Sequence, residues 1–465
     1  MYRTITMAEL QAYPVNVGYA VSKLEGYSRN TFRIESTGAS VVTPGKVVVF
    51  NFPEDSLVDL KSFRWVINSA IGSYAAAAAP SQELRNVFPN GQGLIYRMEI
   101  RCNGIQITQG CIEYNTAYNM MKMSRTPTSK SSTIDNLLSN HVLDSTGNAN
   151  FAAAQSIAMV ISDWIGFLEA PSTRFIDTGL CGLLTVQLTL ADASVMSIMT
   201  SDFTNAGVAL TSVGAGPVAD LAIAQGMTYT LSNFYGTIDC IGFNDGHYAK
   251  LVREQLEREE ALYVNFDDYI SFPTDGFAAG ATSITTRFSL NSQSINKLYA
   301  TMRKSSYNTL GQLPDPLTGT GDRAYQPAFY KMQSFATDNP PVNFKWQWNL
   351  NGIFHPQHLA TEIEAAASLV HTENKVFLDS PGNQIFSFYD YRNSKFMCGI
   401  RLNHPIDGER KNAYVSGYDS RSMNSAITFA CSGITVPTGG GSVYILANTT
   451  STMRIGKGRQ IQVVQ

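Results

Sequence analysis

The sequence predicts an all-β protein made of two tandem domains of the same plan, with short helices in the loops. A chain of 465 residues is longer than one hydrophobic core usually serves, so two domains of about 200 residues each are expected. Only 15% of the residues are charged, and 36 Gly, 24 Phe and 22 Tyr favour strands and turns over amphipathic helices. In addition, one short pattern is present in both halves of the chain.

The repeated pattern is an alternating strand that ends in Asn-Gly-Ile. It reads YRMEIRCNGI at residues 96–105 and FKWQWNLNGI at residues 344–353. In both copies aromatic or apolar residues alternate with polar ones, which is the period of a half-buried strand, and Asn-Gly suits the positive φ angles of a tight turn. CIEYNTAYNMM follows the first copy and HLATEIEAAASLV the second, and both segments are predicted to be helical. The shared unit of strand, turn and short helix predicts a duplicated domain whose copies superpose.

The first half is predicted to run from a polar N-terminal arm at residues 1–29 into a jelly roll at residues 30–245. Two long excursions interrupt this half: residues 124–150 are rich in Ser, Thr and Asn, and residues 201–225 are rich in Gly and Ala. About eight strands with two long loops favour a jelly roll. The candidate strands are TFRIEST, KVVVFNF, DLKSFRWVINS, the repeat strand at 94–102, IAMVISDWIGFL, GLLTVQLTLAD and TYTLSNFYGTIDCIGF.

A charged segment, HYAKLVREQLEREEALY, separates the halves. Its apolar residues recur at helical spacing among mixed charges, which predicts a solvated linker helix at residues 246–261. The second jelly roll is predicted at residues 262–465, with an irregular stretch rich in Pro, Gly and Asp at residues 307–341. Its candidate strands are LYVNFDDYISFP, TSITTRFSLN, SINKLYATMRKSS, the second repeat strand, IFSFYDYRNSKFMCGIRL, SAITFACSG and SVYILANTTSTMRIGKGRQIQVV.

Composition argues against several classes of protein. A formal charge of −3 is unfavourable for a nucleic-acid binder that works by overall charge. Six cysteines without any C-x-x-C spacing predict reduced thiols, and the absence of an apolar core near Met1 predicts no signal peptide, so folding in a reducing compartment is expected. The most apolar long stretch, residues 151–168, contains Asp163 and is predicted to be a buried element rather than a membrane span.

Candidate catalytic and metal-binding residues are few. The chain contains no P-loop, HExxH, GxSxG or complete dinucleotide fingerprint. His355 and His358, near Glu362 and His371, are the only crowded set of possible metal ligands. Because His355 precedes proline in a predicted turn and no fourth ligand is evident, a loop or helix-cap role is favoured over a metal site.

Two further positions have both a chemical and a structural interpretation. Asp267 and Asp268 could pair as acid and base, but neighbouring strand residues point to opposite faces, which favours a solvated edge. The glycosylation sequon at Asn448 requires a secretory route that nothing else in the sequence supports. The sequence therefore predicts no catalytic, cofactor-binding or metal site, and no enzyme activity.

Several of these segments together resemble a known family. LIYRMEIRCNGIQI followed by EYNTAYNMM, and SINKLYATMR ahead of NFKWQWNLNGIFHP, look like the double jelly-roll major capsid proteins of the DNA-virus lineage that includes adenoviruses, tectiviruses, algal giant viruses, virophages and polinton-like viruses. The resemblance covers the chain from about residue 30 onward. It implies two eight-stranded jelly rolls side by side, with three copies forming a pseudo-hexagonal capsomer. The loops of this chain are modest beside those of the longest members.

The resemblance implies a structural subunit of an icosahedral virion capsid, made in the host cytoplasm or nucleus, with no cofactor and no small-molecule substrate. Its implied partners are two further copies in a homotrimer, neighbouring capsomers, and penton and minor capsid proteins. A hexagonal lattice site needs six similar edges, which a trimer of a duplicated domain supplies. The alternatives are a tandem jelly-roll glycan-binding or glycan-processing protein, which predicts disulfides or a carboxylate or calcium cluster, and an attachment fibre, which predicts shorter repeats.

Both ends of the chain carry cations. Arg3 and Lys23 lie in the N-terminal arm, and Arg454, Lys457 and Arg459 lie near the C terminus. In the resembling family the termini lie at the base of the capsomer and face the shell interior. There the cations could attract an internal membrane, a minor capsid protein or packaged DNA. The other interpretation of the C-terminal group is a strand end with solvated charges.

Overall fold

The strands of the protein form five antiparallel sheets within the part of the chain that the structure describes. The structure is a computed structural model. It describes residues 27–73, 84–87, 91–108, 110–125, 157–169, 174–195, 197–200, 228–243, 252, 254, 256–258, 261–304, 324–325, 332–337, 342–373, 388, 391–392, 395–403, 417–421, 426–437 and 439–464.

Two sheets are built from the first half of the chain. One has the order β1-β13-β4-β10, with β2 paired to β13 and β9 to β4, and the other has the order β3-β11-β6-β7, with β8 paired to β6. The strands of this half are β1 (Tyr27–Ile34), β2 (Val41–Val42), β3 (Val47–Asn51), β4 (Leu57–Ser73), β5 (Leu84–Val87), β6 (Ile95–Cys102), β7 (Ile105–Gln106), β8 (Cys111–Ile112), β9 (Ile157–Ile161), β10 (Phe175–Asp177), β11 (Leu184–Leu190), β12 (Ser197–Thr200) and β13 (Thr228–Phe243).

Two further sheets are built from the second half. Their orders are β14-β22-β16-β20, with β23 paired to β22, and β15-β21-β18-β19. The strands are β14 (Ala261–Phe277), β15 (Ser283–Ser289), β16 (Ile295–Lys304), β17 (Ala324–Tyr325), β18 (Lys345–Leu350), β19 (Ile353–Ala360), β20 (Cys398–Arg401), β21 (Ala426–Ser432), β22 (Gly441–Gly456) and β23 (Gln460–Val464). The helices whose bounds fall within the described residues are α1 (Tyr114–Arg125), α2 (Thr178–Cys181) and α3 (Glu362–Glu373), with short 3₁₀ turns at Gly91–Leu94 and Ala193–Val195.

The two halves have the same topology. The main strands in chain order are β1, β3, β4, β6, β7, β10, β11 and β13 in the first half, and β14, β15, β16, β18, β19, β20, β21 and β22 in the second. In both, the first, eighth, third and sixth strands form one sheet, and the second, seventh, fourth and fifth form the other. This is the strand order of an eight-stranded jelly roll. The predicted fold, two tandem jelly rolls with short helices in their loops, is confirmed.

The repeated pattern occupies equivalent positions in the two jelly rolls. Each copy forms the fourth strand, β6 or β18, and continues through an Asn-Gly turn into the fifth strand, β7 or β19. Asn103 and Gly104 have φ angles of 50° and 80°, and Asn351 and Gly352 have 52° and 88°. A turn with positive φ at both residues has a twist that matches the right-handed twist of the flanking strands. Asn and Gly adopt positive φ most readily, so Asn-Gly is favoured there. Helices α1 and α3 follow at the same place, as predicted.

Two predicted strands are shorter than expected. Among the described residues of IFSFYDYRNSKFMCGIRL, Cys398–Arg401 is a strand, whereas residues 388, 391 and 392 are helical. The reason is that Tyr391 is buried and donates a hydrogen bond to the Met397 carbonyl at 2.7 Å. Its ring packs against Phe388 and Phe396, so these three aromatic residues do not alternate along a strand. In IAMVISDWIGFL the strand ends at Ile161, and Trp164 then donates from its indole nitrogen to the Phe63 carbonyl at 2.9 Å.

Several predicted segments lie wholly or mainly outside the described residues. They are the N-terminal arm up to residue 26, the excursions at 126–150 and 201–225, and most of the linker and of residues 307–341. The described linker residues 252, 254 and 256–258 are helical. Strand β1 begins at Tyr27, inside the predicted arm.

The fifth sheet joins loops of the two jelly rolls and has the strand order β17-β12-β5. Strand β12, which lies between β11 and β13, pairs with β5 of the β4–β6 connection and with β17 of the β16–β18 connection. The loops of the two halves therefore contact one another through backbone hydrogen bonds. Part of the irregular 307–341 stretch takes part in this pairing, because β17 belongs to it.

The two jelly rolls share one continuous apolar core. Within the first, Phe50 of β3 packs edge-on against Trp65 of β4, which joins the two sheets with ring centroids 6.3 Å apart. The cluster of buried residues runs through both halves. At their boundary Phe167 packs edge-on against Phe266 of β14, with ring centroids 5.0 Å apart. Burial of this common core makes the pair of jelly rolls one packed unit.

Candidate functional site

Strand β8 of the first jelly roll lies against one sheet face of the second. The carbonyl of Ile112 accepts two hydrogen bonds, one from the Ser271 hydroxyl of β14 at 2.8 Å and one from the Tyr444 hydroxyl of β22 at 2.9 Å. The Cys111 sulfur lies 3.6 Å from the same tyrosine oxygen. Burial raises the pKa of Tyr444 well above its usual value. The tyrosine therefore remains a neutral hydrogen-bond donor at this boundary.

A buried ion pair completes the same boundary. Arg303 of β16 pairs with the Glu113 carboxylate and donates to the Thr116 hydroxyl at 3.1 Å. The Arg303 side chain is only 3% exposed and that of Glu113 is 16% exposed. We call these contacts of Cys111, Ile112, Glu113 and Thr116 with the second jelly roll the inter-roll interface. Sequence reasoning missed it, although Arg303 is a cation in the apolar strand segment LYATMR, and a cation in such a position needs a partner.

The C-terminal hairpin contacts the first jelly roll at a second place. Arg459 donates to the Gly179 carbonyl at 3.1 Å and pairs with Asp55 at 2.9 Å. The Asn103 side chain in turn donates to the Arg459 carbonyl at 3.4 Å. Of the three predicted C-terminal cations, Arg459 is therefore engaged within its own chain, whereas Lys457 is exposed. Arg454, in β22, lies 3.5 Å from the Gln462 side chain.

The histidines singled out in the sequence do not form a common site. His355 and His358 lie in strand β19, not in a turn, which corrects the expectation, because this strand continues the Asn-Gly hairpin through the His355–Pro356 bond. Glu362 is buried, whereas His371 lies exposed at the other end of α3. Among the described residues, no group of three His, Cys, Asp or Glu side chains is placed to hold a metal ion.

His358 instead supports a helix cap. Thr361 precedes α3, and its backbone N–H and hydroxyl donate to the Glu364 carboxylate at 2.6 and 3.0 Å. The Glu364 N–H points back to the threonine hydroxyl at 3.4 Å, which makes a capping box. The His358 ring lies 3.0 Å from the same carboxylate. The cap role predicted for this group is thus observed for His358.

The capping box predicts an acid-sensitive contribution to stability. The hydrogen bond from the Thr361 N–H, followed by that from His358, lowers the pKa of Glu364 from 4.5 to about 2. Because the folded pKa is depressed, the contribution is present above pH 4.5 and is lost as the pH falls toward 2. Glu364→Gln keeps the cap but cannot ionise, so the stability difference between wild type and this variant should shrink between pH 6 and pH 2 in chemical denaturation.

A complementary variant separates the cap from the charge. Thr361→Ala removes the hydroxyl and should cost about 1 kcal/mol at pH 6. If the stability difference between wild type and Glu364→Gln stayed constant from pH 6 to pH 2, the ionised Glu364 carboxylate would not be the acid-sensitive group of the cap.

Asp268 and the sequon residue Asn448 occupy buried positions, and Asp267 is half-buried. Asp268 is only 3% exposed, which corrects the expectation of a solvated edge for this residue. Although β14 is an edge strand, its face is covered by the first jelly roll: a Cβ on Gly166 would lie 3.6 Å from the Asp267 carbonyl. Asn448 is also buried, in β22 between β14 and β16, so the folded chain offers no accessible sequon there.

All six cysteines are free and buried, as expected for reduced thiols. Burial raises the pKa of Cys111 and of Cys431 to about 12, so these thiols remain protonated. No helix in the described part of the chain is long and apolar enough to cross a membrane.

Comparison with known proteins identifies the fold. No protein-family model and no curated protein sequence matches the chain. The VP54 protein of PBCV-1, in a structure fitted into a reconstruction of the virophage Sputnik, matches with a TM-score of 0.56 and 11% identity over 95% of this chain and 98% of that one. A quasi-atomic model of the PBCV-1 virus capsid matches with a TM-score of 0.57, the same identity and the same coverage.

The major capsid protein of Faustovirus is similar to the same extent. It matches with a TM-score of 0.55 and 10% identity over 93% of this chain and 91% of that one. These viral proteins are similar to the chain along nearly its whole length, and both of its jelly rolls are included in the match. The chain therefore has the double jelly-roll fold of viral major capsid proteins.

Proposed function

We propose that this protein is a viral major capsid protein, a structural subunit of an icosahedral shell. The observation that carries the proposal is that the structural match covers 95% of this chain and 98% of the PBCV-1 capsid chain, so no large part of either chain lies outside it. The extensive contacts between the two halves, with a common core and a buried ion pair, suit a subunit whose task is to bury area against its neighbours. We propose no catalytic activity.

The functional unit in this proposal is a homotrimer with a pseudo-hexagonal outline. Each chain contributes a first jelly roll at residues 30–245 and a second at 262–465, joined by a linker helix at 246–261 and preceded by an arm at 1–29. The identical strand order of the two jelly rolls supports this arrangement, because three chains then present six similar edges. An obligate interface of roughly 2,000 Å² or more would hold the copies together.

The proposed partners follow from this role. Neighbouring capsomers, penton proteins and minor capsid proteins would contact the outer edges of the trimer within the virion. An internal membrane or packaged DNA would lie beneath its base. Lys457 is the C-terminal cation best suited to an acidic surface there, because it is exposed while Arg459 is paired with Asp55. Synthesis in the host cytoplasm or nucleus belongs to the same proposal.

Sedimentation of the purified full chain tests the proposed function. At micromolar concentration we expect a species of about three times 50.9 kDa, because a single chain leaves large apolar side chains exposed on its edge strands. Electron microscopy of the same sample should show particles with a hexagonal outline. A stable monomer over the whole concentration range would reject the capsomer and favour a tandem jelly-roll binding protein instead.

A further inference from the structure

We infer that residues 359–364 of the second jelly roll dock on the outer face of the first jelly roll of a second copy, where Glu364 faces Arg64. This inference rests on the proposed capsomer function and specifies the surfaces that join its copies. The proposed contact would repeat, between chains, the inter-roll interface that the structure shows within one chain.

The argument begins with the equivalence of the two jelly rolls. Aligned without a gap on their Asn-Gly-Ile triplets, Cys111 corresponds to Leu359 and Thr116 to Glu364. Both segments lead from the hairpin into the helix that follows it, α1 or α3. In the first jelly roll this segment is the one that contacts the second through Ile112, Glu113 and Thr116. By this equivalence, the corresponding segment of the second jelly roll is placed to contact another jelly roll, which must belong to a second copy of the chain.

That segment is uncovered in the single chain. Leu359 is 58% exposed and Ile363 is 57% exposed, whereas Cys111, the counterpart of Leu359, is only 6% exposed. Glu364 is exposed as well. Leu359 on the edge strand β19, with Ile363 and Glu364 in the first turn of α3, forms a surface of the kind that docking covers.

The complementary surface is uncovered too. In the second jelly roll the third strand, β16, is buried on both faces. Tyr299 donates to Glu373 of α3, Thr301 donates to the Phe396 carbonyl, and Arg303 contacts Thr116 of the first jelly roll. In the first jelly roll the third strand is β4, and there Phe63, Trp65 and Ile67 are buried while the alternate positions are exposed or half-buried. Arg64 is one of the exposed positions. The outer face of this sheet therefore lacks the cover that its counterpart has.

Charge complementarity selects a second copy as the occupant. In the inter-roll interface a cation on the third strand, Arg303, meets acceptors on the docking segment, Glu113 and Thr116. Across the proposed contact the cation on the third strand is Arg64, and the acceptor is Glu364, the counterpart of Thr116. Different surfaces meet in such a contact, so it is heterologous, and repetition around an axis closes a ring.

Charge reversal in the full chain tests the inference by sedimentation velocity. Arg64→Glu and Glu364→Lys should each raise the concentration at which the trimer dissociates by about tenfold or more, since like charges then face each other. The double variant should recover most of the wild-type value, because it restores the pair in the opposite sense. Glu364→Lys also loses the capping box, but that loss is common to the single and the double variant.

Arg287→Glu is the matched control, because Arg287 is an exposed arginine on β15, which belongs to a different sheet, and it should leave the trimer unchanged. Far-UV circular dichroism of each variant should match that of the wild type. A wild-type trimer that tolerates both single reversals, or a double variant no better than the singles, would overturn these docking surfaces while leaving the capsid role intact. A wild-type monomer would instead reject the proposed function together with the inference.

Discussion

Replacing Trp348 with alanine is expected to lower the free energy of unfolding by about 3–5 kcal/mol. Trp348 lies in β18 and its side chain is fully buried. Its ring packs against Phe429 of β21 at 4.9 Å and edge-on against Phe288 of β15 at 6.4 Å between centroids. Truncation removes the transfer free energy of a large side chain and leaves a cavity among strands whose hydrogen bonds prevent collapse. Urea denaturation followed by far-UV circular dichroism measures the loss.

A conservative variant and a surface variant serve as controls for this prediction. Trp348→Phe keeps an aromatic ring against Phe429 and should lose clearly less stability than the alanine variant. Phe354→Ala removes a half-exposed ring from the edge strand β19 and should stay within about 1 kcal/mol of the wild type. If all three variants unfolded at the same urea concentration, the assignment of Trp348 to the core of the second jelly roll would be wrong.

Replacing Arg303 with methionine is expected to cost about 3–5 kcal/mol, the range for breaking one side of a buried ion pair. The change keeps a long apolar stem but removes the guanidinium, so the Glu113 carboxylate and the Thr116 hydroxyl lose their donor within the inter-roll interface. An uncompensated charge in a position with little access to water is the origin of the penalty. The same denaturation measurement applies, at pH 7.

An exposed pair supplies the matched control. Arg421 donates to both carboxylate oxygens of Asp419 at the surface, and these side chains are 46% and 48% exposed. Arg421→Met should therefore cost clearly less than Arg303→Met, because water screens the exposed pair. Glu113→Gln, which leaves an acceptor for Arg303, should fall between the two. Equal costs for Arg303→Met and Arg421→Met would show that the inter-roll interface is open to water.

Local features of the sequence were sufficient to predict the fold and its duplication. The alternation in β6 and β18 depends only on which side chains point to one face of a strand, and the Asn-Gly turns depend on the φ angles of two residues. Neither requires knowledge of distant residues. Strand β13 matches its predicted bounds for the same reason, since TYTLSNFYGTIDCIGF alternates along most of its length.

Contacts between residues far apart in the chain decided the rest. Asp268 has the sequence environment of a solvated edge, yet it is buried because the first jelly roll covers β14. Arg459 looks like a free terminal cation, but the C-terminal hairpin brings it to Asp55. The sequence by itself determined two jelly rolls of equal plan, because strand period and turn chemistry are local. Only the tertiary structure decided which face of one jelly roll the other covers, because a contact such as Glu113 with Arg303 depends on how two complete sheets pack.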